Sequence, residues 1–163
     1  VSGFRPSEEM MQKHPDVARL YASWNEAFEK HDIARAVEIS LELFTDGPGR
    51  LPGLAAPAVR ERVREMTTRN WERPDDEAQA ETPPVPLEPP AIGRLSQIEA
   101  PTLVILGELD APSPLEQLTA EIPGAKKVIM AGTAHHPFME KPAEFNQIVL
   151  DFLGSLKVNM TKE

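Results

Sequence analysis

One short segment limits what this chain can fold into. Residues 102–106, Thr-Leu-Val-Ile-Leu, form a short apolar run of the kind found in strands buried on both faces of a parallel sheet. Only one other segment, residues 127–131, has the character of a strand, and no internal repeat supplies more. Because two parallel strands cannot cover both faces of a sheet, we expect this pair to be the edge part of a larger sheet whose other strands are not in this sequence.

Helices are predicted around these two strands. Ser113-Pro114-Leu115-Glu116 has the pattern of a capping box with proline at the first helical position, which predicts a helix ending at Pro123-Gly124. Apolar residues at helical spacing predict a second, amphipathic helix over 142–157. The order is β-α-β-α, and its first three elements form one right-handed crossover unit. The fold class predicted for this half is therefore α/β.

The first half of the chain is predicted to be helical, with no strand signal before residue 100. The periodicity favours helices from Asp16 to Lys30, from an N-cap at Asp32 to about Phe44, and from Pro57 onward. Six prolines then fall between residues 74 and 90, among several acidic residues, which indicates an extended linker or lid. We expect three parts: a helical region over 1–73, the proline-rich acidic stretch over 74–91, and an α/β region over 92–163.

Composition excludes several classes of function. The 17 basic and 26 acidic residues give a net charge of −9, which disfavours nucleic acid or an anionic membrane as a partner. With no cysteine in the chain, a disulfide scaffold, a cysteine-based zinc site and a thiol nucleophile are excluded. No apolar run approaches the length of a membrane span. A cytoplasmic protein is expected from these absences.

Two residues of catalytic type follow the two predicted strands. Asp110 comes after the first strand and His135 after the second, where open parallel sheets place their ligand-binding loops. A carboxylate beside an imidazole fixes the tautomer of the ring and stabilises its charged form. Each residue also has a simpler interpretation: Asp110 can begin a turn before Ala111-Pro112, and His135 can be a loop histidine with no chemical role.

The segments around these two residues resemble the α/β-hydrolase family. Residues 101–110 are similar to the strand that carries the family's acid, a Pro-Thr-Leu-Val strand ending in Gly-x-x-Asp. Residues 132–146, a Gly-x-x-His loop followed by Glu, Pro and Phe-Asn, resemble the loop that carries its catalytic histidine. The resemblance covers about residues 92–157, and the helical first half is similar in kind to the family's cap. It implies that Asp110 is the triad acid and His135 the general base, acting on a small ester, lactone or related acyl substrate. No metal or organic cofactor is implied.

The chain departs from the family pattern in one respect that matters for activity. The family's nucleophile lies in a Gly-x-Ser-x-Gly turn before the cap, and none of the seven serines here has that setting. The His-Gly type of oxyanion loop is missing too, and residues 1–4 resemble the point where the family's chain enters its cap. We therefore expect the C-terminal portion of a hydrolase. Its partner would be the N-terminal half that carries Gly-x-Ser-x-Gly, and this chain alone would be inactive.

Other interpretations stay open at this stage. The chain could be a non-catalytic binding or assembly module that forms a homo-oligomer by pairing exposed strand edges. The family frame could also host other chemistry, because its relatives include dehalogenases, epoxide hydrolases and carbon–carbon bond hydrolases.

The remaining candidate site residues are aromatic or histidine side chains. Candidate substrate-binding residues are Trp24, Phe28, His136 and Phe138, and Phe44, Met66 and Trp71 could also line an acyl pocket or simply belong to the core. His136 is adjacent to His135, but the spacing to Glu140 favours His135 as the base. Glu140 is expected to order the histidine loop or to cap the helix that begins near Pro142. A metal site formed by the two histidines is disfavoured, because no further ligands occur at motif spacing.

Overall fold

The computed structural model describes residues 8–48, 50, 55–72, 90–112 and 115–160. Predictions made for residues 1–4, for Ser113-Pro114 and for the proline-rich stretch up to residue 89 lie outside these residues. The described part of the first half is helical, without a strand before Leu103. Its elements are α1 (Glu8–Lys13), α2 (Pro15–Glu29), α3 (Ile33–Ser40), a π-helical segment (Leu41–Asp46) and α4 (Pro57–Trp71).

The predicted helices of this half are confirmed, with one change of geometry. The side chain of Asp32 caps α3 as expected, because its Oδ1 atom accepts a hydrogen bond of 3.0 Å from the backbone N–H of Arg35. The helix expected to continue to about Phe44 instead becomes π-helical from Leu41 onward. Gly47 ends this segment with a φ of +83°. A Cβ atom at Gly47 would lie 2.1 Å from the carbonyl oxygen of Leu109, so only glycine fits there.

The main hydrophobic core lies within the helical half. One cluster of buried side chains comes from α2, α3 and the π-helical segment, and includes Val17, Tyr21, Ile39 and Leu43. A second cluster joins α3, the π-helical segment and α4, and Met139 from the other half of the chain packs against it. The helices therefore form a packed unit that also contacts the α/β half.

The α/β half contains the two predicted strands, each displaced by one residue. Strands β1 (Leu103–Gly107) and β2 (Lys126–Met130) pair in parallel, with Leu103 opposite Lys126 and Gly107 opposite Met130. The helices are a 3₁₀ helix (Ala91–Gln97), α5 (Leu115–Glu121), the short α6 (Pro137–Glu140) and α7 (Pro142–Met160). The β-α-β-α order is therefore as predicted, and α6 is an addition that the sequence did not indicate.

The described sheet has two strands, and its apolar residues are incompletely covered. All five residues of β1 are only partly buried, although the apolar run is typical of a strand in a sheet interior. On α7, the side chain of Leu150 is 62% exposed. These exposures fit the expectation that the pair belongs to a larger sheet. No helix within the described ranges is both long enough and apolar enough to cross a membrane.

Candidate active site

The carboxyl ends of β1 and β2 bring two loops into direct contact. The backbone N–H of Leu109, just after β1, donates a hydrogen bond of 2.9 Å to the carbonyl of Thr133 in the loop after β2. At Gly107 the backbones are so close that a Cβ atom would lie 2.0 Å from the carbonyl oxygen of Ala134. The glycine that ends β1 therefore allows the loop carrying Asp110 and the loop carrying His135 to lie side by side.

Asp110 and His135 form a hydrogen bond at this junction. Their Oδ2 and Nδ1 atoms are 2.8 Å apart, and the other oxygen of Asp110 accepts a bond of 2.8 Å from the backbone N–H of Ala111. The carboxylate is mostly buried, with 13% of the side chain exposed, whereas 51% of the His135 side chain is exposed. When the ring is neutral and Nδ1–H donates to Asp110, Nε2 keeps its lone pair and is able to accept a proton.

The helical half of the chain positions the backbone of His135. The N–H of His135 donates a hydrogen bond of 3.0 Å to the carbonyl of Phe44, in the π-helical segment. In an α-helix that carbonyl would accept from residue 48, which is proline and has no N–H to give. The Phe44 ring also lies 5.3 Å from the His135 ring, between centroids. Phe44 thus contacts the histidine through both its backbone and its side chain.

A buried ion pair orders the rest of the histidine loop. Glu140 accepts a hydrogen bond of 2.7 Å from the backbone N–H of Ala134, and its other oxygen accepts two bonds from Arg50, of 3.1 and 3.2 Å. Arg50 also donates to the carbonyl of Gly132 at 2.6 Å. Both side chains are largely buried, with exposed fractions of 7% for Glu140 and 12% for Arg50. Glu140 therefore orders the loop, which is one of the two roles expected from the sequence.

The pKa values of the two neighbouring histidines are shifted in opposite directions. The hydrogen bond to Asp110 raises the pKa of His135 above the ordinary value of a histidine, although partial burial opposes the shift. His136 has its pKa lowered, first by burial and then by the adjacent His135. Tyr21, in the helical core, has a raised pKa because it is buried and because Asp110 is close. The two histidines are therefore expected to titrate at different pH values.

We predict that the difference in pKa between His135 and His136 depends on Asp110. In Asp110→Asn, the pKa of His135 should fall below its value in the unchanged chain, because the stabilising carboxylate is lost while the burial remains. NMR titration of the histidine ring protons measures this, with His136→Gln to assign the signals. If the pKa of His135 were equal in Asp110→Asn and in the unchanged chain, the pairing of His135 with Asp110 would be contradicted. Folding raises the pKa of His135, so its pairing with Asp110 stabilises the folded state at pH values below the pKa of His135 in the unfolded chain. This stabilisation is lost as the pH rises through the pKa of His135 in the folded protein.

A cavity of about 610 Å³ opens beside the histidines. Its walls come from the two histidines, from Phe44 and from the side of α4 that carries Met66, Arg69 and Trp71. The volume is in the range of small-molecule sites. Within the described residues, no three side chains of metal-ligating type come together.

Three of the four aromatic or histidine candidates for substrate binding lie outside this cavity. Trp24 and Phe28 are packed in the helical core behind Trp71, with ring centroids 6.0 and 4.8 Å from it. Phe138 contacts the ring of His136 from the side of α6, and is not part of the wall. These three side chains do not line this cavity, and a role for them in substrate binding stays a prediction. His136, Phe44, Met66 and Trp71 do line it, because they lie on the sides of their elements that face the gap between the two halves.

Sequence reasoning missed two arginines. Arg50 follows a Gly-Pro-Gly turn, and nothing local indicates that it pairs with a glutamate 90 residues further along the chain. Arg69 lies beyond the alternation of basic and acidic residues over 60–65, which is typical of a solvated helix face, and no local pattern singles it out. One local signal was present for Phe44: a proline four residues after it, which frees its carbonyl from helical hydrogen bonding.

Sequence comparison finds hydrolase relatives for one part of the chain. The chain is 39% identical over 61 residues to Protein ABHD14A of Danio rerio, a match that covers 36% of this chain and 23% of that protein. It is 42% identical over 65 residues to a 2-hydroxy-6-oxononadienedioate/2-hydroxy-6-oxononatrienedioate hydrolase of Cupriavidus pinatubonensis, covering 38% and 22% of the two chains. No protein-family model matches the chain.

Solved structures match a larger share of the chain. An N-acyl homoserine lactone-degrading enzyme, Est816, superposes with a TM-score of 0.55 at 25% identity, covering 80% of this chain and 51% of that one. A hydrolase from Pseudomonas aeruginosa gives a TM-score of 0.54 at 28% identity, covering 85% and 50%. The chain thus spans less than a quarter of the curated relatives and about half of these structures.

These similarities agree with the fold. The helices and the parallel two-stranded sheet correspond to part of an α/β-hydrolase fold, as the resemblance implied. The curated relatives and the solved structures point to the same family. Over part of its length, the chain is therefore similar to α/β-hydrolases in both sequence and fold.

Proposed function

We propose that the protein is a hydrolase of small esters, lactones or related acyl substrates, in which His135 is the general base and Asp110 is the residue that positions it. The observation that carries this proposal is the 2.8 Å hydrogen bond between His135 Nδ1 and Asp110 Oδ2 at the wall of the cavity. Est816, described as a lactone-degrading enzyme, supports the acyl chemistry.

In the first half of the reaction, a serine attacks the carbonyl carbon of the substrate. The serine belongs to a Gly-x-Ser-x-Gly segment outside this chain, which we assign to the N-terminal half of the hydrolase. As the bond from serine oxygen to carbon forms, the hydroxyl proton passes to His135 Nε2. His135 then gives this proton to the departing alcohol oxygen as its bond to carbon breaks, which leaves an acyl-serine.

In the second half, His135 removes a proton from water, and the resulting hydroxide attacks the acyl carbon. The bond to the serine oxygen breaks, that oxygen takes the proton back from His135, and the acid leaves. Asp110 holds the ring in the Nδ1–H tautomer and stabilises its charge in both steps. The contacts from Phe44 and Glu140 hold the loop so that Nε2 keeps one position. Without the nucleophile, we expect no turnover by this chain alone.

Labelling with a fluorophosphonate tests the proposal on the full-length protein or on the complex with its N-terminal half. We expect one serine outside residues 1–163 to be labelled, and His135→Ala to slow labelling by on the order of 10³-fold or more, since the serine loses its base. His136→Ala is the matched control and should slow labelling far less than His135→Ala, because it changes the cavity wall and leaves the base in place. Labelling of a serine within residues 1–163, or labelling independent of His135, would contradict the proposal.

Two other functions predict different results. The relative named as a 2-hydroxy-6-oxononadienedioate hydrolase favours carbon–carbon bond hydrolysis as a second candidate. In that case the protein would cleave oxo acids and turn over simple esters poorly. A binding or assembly module would give a stable homo-oligomer of a single 18.0 kDa species and no labelled serine. Intact and native mass, measured before labelling, separate this outcome from the two enzymatic ones.

A further inference from the structure

Helix α4 carries four arginines, and one of them differs from the others. Three are ion-paired: Arg60 with Asp46 and Glu38, Arg62 with Glu65, and Arg64 with Glu38 and Glu61. Arg69, near the end of the helix, has no carboxylate partner within the described residues. It lies in the wall of the cavity that also contains His135. The unpaired charge is thus the one that faces the candidate active site.

The cavity around Arg69 is suited to a negative charge. Among the residues that the structure describes, its lining contains no acidic side chain, whereas Thr67 and Asn70 place further polar groups beside Arg69 on the same helix. Neither of these side chains has a hydrogen-bond partner within the described part of the chain. The histidines form another wall, where the proposed reaction takes place. A ligand that spans the cavity would meet a cation and polar groups on α4 and the catalytic base on the histidine loop.

The charge of Arg69 affects an anion in this cavity more strongly than the net charge of the chain does. The chain carries −9 overall, but physiological salt screens charges separated by more than about 8 Å. An anion inside the cavity therefore responds mainly to the nearby guanidinium. The planar guanidinium binds a carboxylate through two parallel hydrogen bonds.

We propose that Arg69 binds a carboxylate group of the substrate, so that the preferred substrates are esters or lactones with a second, free carboxylate. This rests on the hydrolase proposed above and specifies its substrate class. The simplest such substrate is the half-ester of a dicarboxylic acid. Attack at the ester carbonyl breaks the bond to the alcohol oxygen, water supplies the oxygen and protons, and the products are the dicarboxylate and the alcohol.

A structural role for Arg69 leads to a different expectation. A cation in the last turn of a helix is favoured by the helix dipole, and Arg69 occupies such a position on α4. That interaction would affect the stability of the helix and would not depend on which substrate is bound. The ratio between two matched substrates therefore distinguishes the two roles.

The test compares two esters that differ only at one end. The full-length hydrolase is assayed with the para-nitrophenyl half-ester of adipic acid and with para-nitrophenyl hexanoate, in which a methyl group replaces the carboxylate. We expect kcat/KM to favour the half-ester, and Arg69→Gln to lower that preference by about tenfold, chiefly through KM, with Arg69→Lys in between. Arg62→Gln is the matched control, because Arg62 is on the same helix but outside the cavity, and it should leave both activities unchanged.

The outcomes separate this inference from the proposed function. If Arg69→Gln leaves the ratio unchanged, or lowers only thermal stability, the inference is wrong, while His135-dependent turnover of hexanoate would still support the hydrolase. If neither ester is hydrolysed, the full 163-residue chain is titrated with monoethyl adipate and with ethyl hexanoate, and the Arg69 Nε–H signal is followed by NMR. A shift with the acid alone supports carboxylate binding, and no shift with either ester overturns it.

Discussion

On the mechanism proposed above, we expect His135→Ala to lower kcat of the full-length protein by on the order of 10⁶-fold, and Asp110→Asn by about 10⁴-fold. The first change removes the group that accepts the serine proton. The second keeps the shape of Asp110 but lets the imidazole adopt the wrong tautomer, because an amide can donate to Nδ1 where the carboxylate only accepts. Steady-state hydrolysis of a para-nitrophenyl ester measures both effects.

The adjacent histidine is the control for this prediction. His136 lines the cavity, whereas the hydrogen bond to Asp110 is made by His135. His136→Ala is therefore expected to change KM more than kcat. If it abolished activity while His135→Ala did not, the assignment of the base would be off by one residue. If Asp110→Asn cost less than about tenfold, Asp110 would not be the residue that orients the base.

The second large effect is expected from the buried ion pair. Glu140→Ala should lower the free energy of unfolding by about 3–5 kcal/mol, because it leaves the charge of Arg50 buried without a partner. The backbone N–H of Ala134 also loses its acceptor. Urea unfolding, followed by tryptophan fluorescence and by circular dichroism, measures the change.

Two variants make this result interpretable. Glu9→Ala removes an exposed ion pair with Lys13 and should have no measurable effect. Replacing both partners, Arg50→Met with Glu140→Leu, should recover much of the loss, since no unpaired charge remains. A cost for Glu140→Ala below about 1 kcal/mol would indicate that water solvates Arg50 and that the pair does not hold the loop.

The helical half of the chain holds the histidine loop of the α/β half in place through two sets of contacts. The π-helical segment contacts His135 through Phe44, and the turn that follows it supplies Arg50 to Glu140. His135 is thus held by its own loop and by the π-helical segment that lines the cavity. A substrate that moves α4 or the π-helical segment would therefore also act on the position of His135.

The secondary structure and the central pair of residues could be predicted from the sequence. The apolar run after Pro101, the cap at Asp32 and the spacing along 142–157 depend on residues close together in the chain, where local geometry determines the outcome. Asp110 and His135 could be paired because each follows a strand, and the carboxyl ends of neighbouring parallel strands meet at one edge of a sheet.

The distribution of aromatic residues could not be predicted in the same way. Trp24 and Phe28 have the same helical spacing as residues that line a pocket, but packing against Trp71 places them in the core. Helical periodicity indicates which side of a helix is apolar. It does not indicate whether that side meets another helix or a cavity, because the answer depends on how the helices cross.

The sequence alone therefore determined the order of the two strands and of the longer helices, the family resemblance and the two residues at the ends of the strands. The tertiary structure decided which other residues join them. Phe44 and Arg50 reach the histidine loop from distant parts of the chain, Arg50 by pairing with Glu140, and Arg69 is the arginine of α4 that lies in the cavity wall. The physical reason is that hydrogen bonds, ion pairs and cavities form between elements, and their partners depend on packing geometry that no local pattern records.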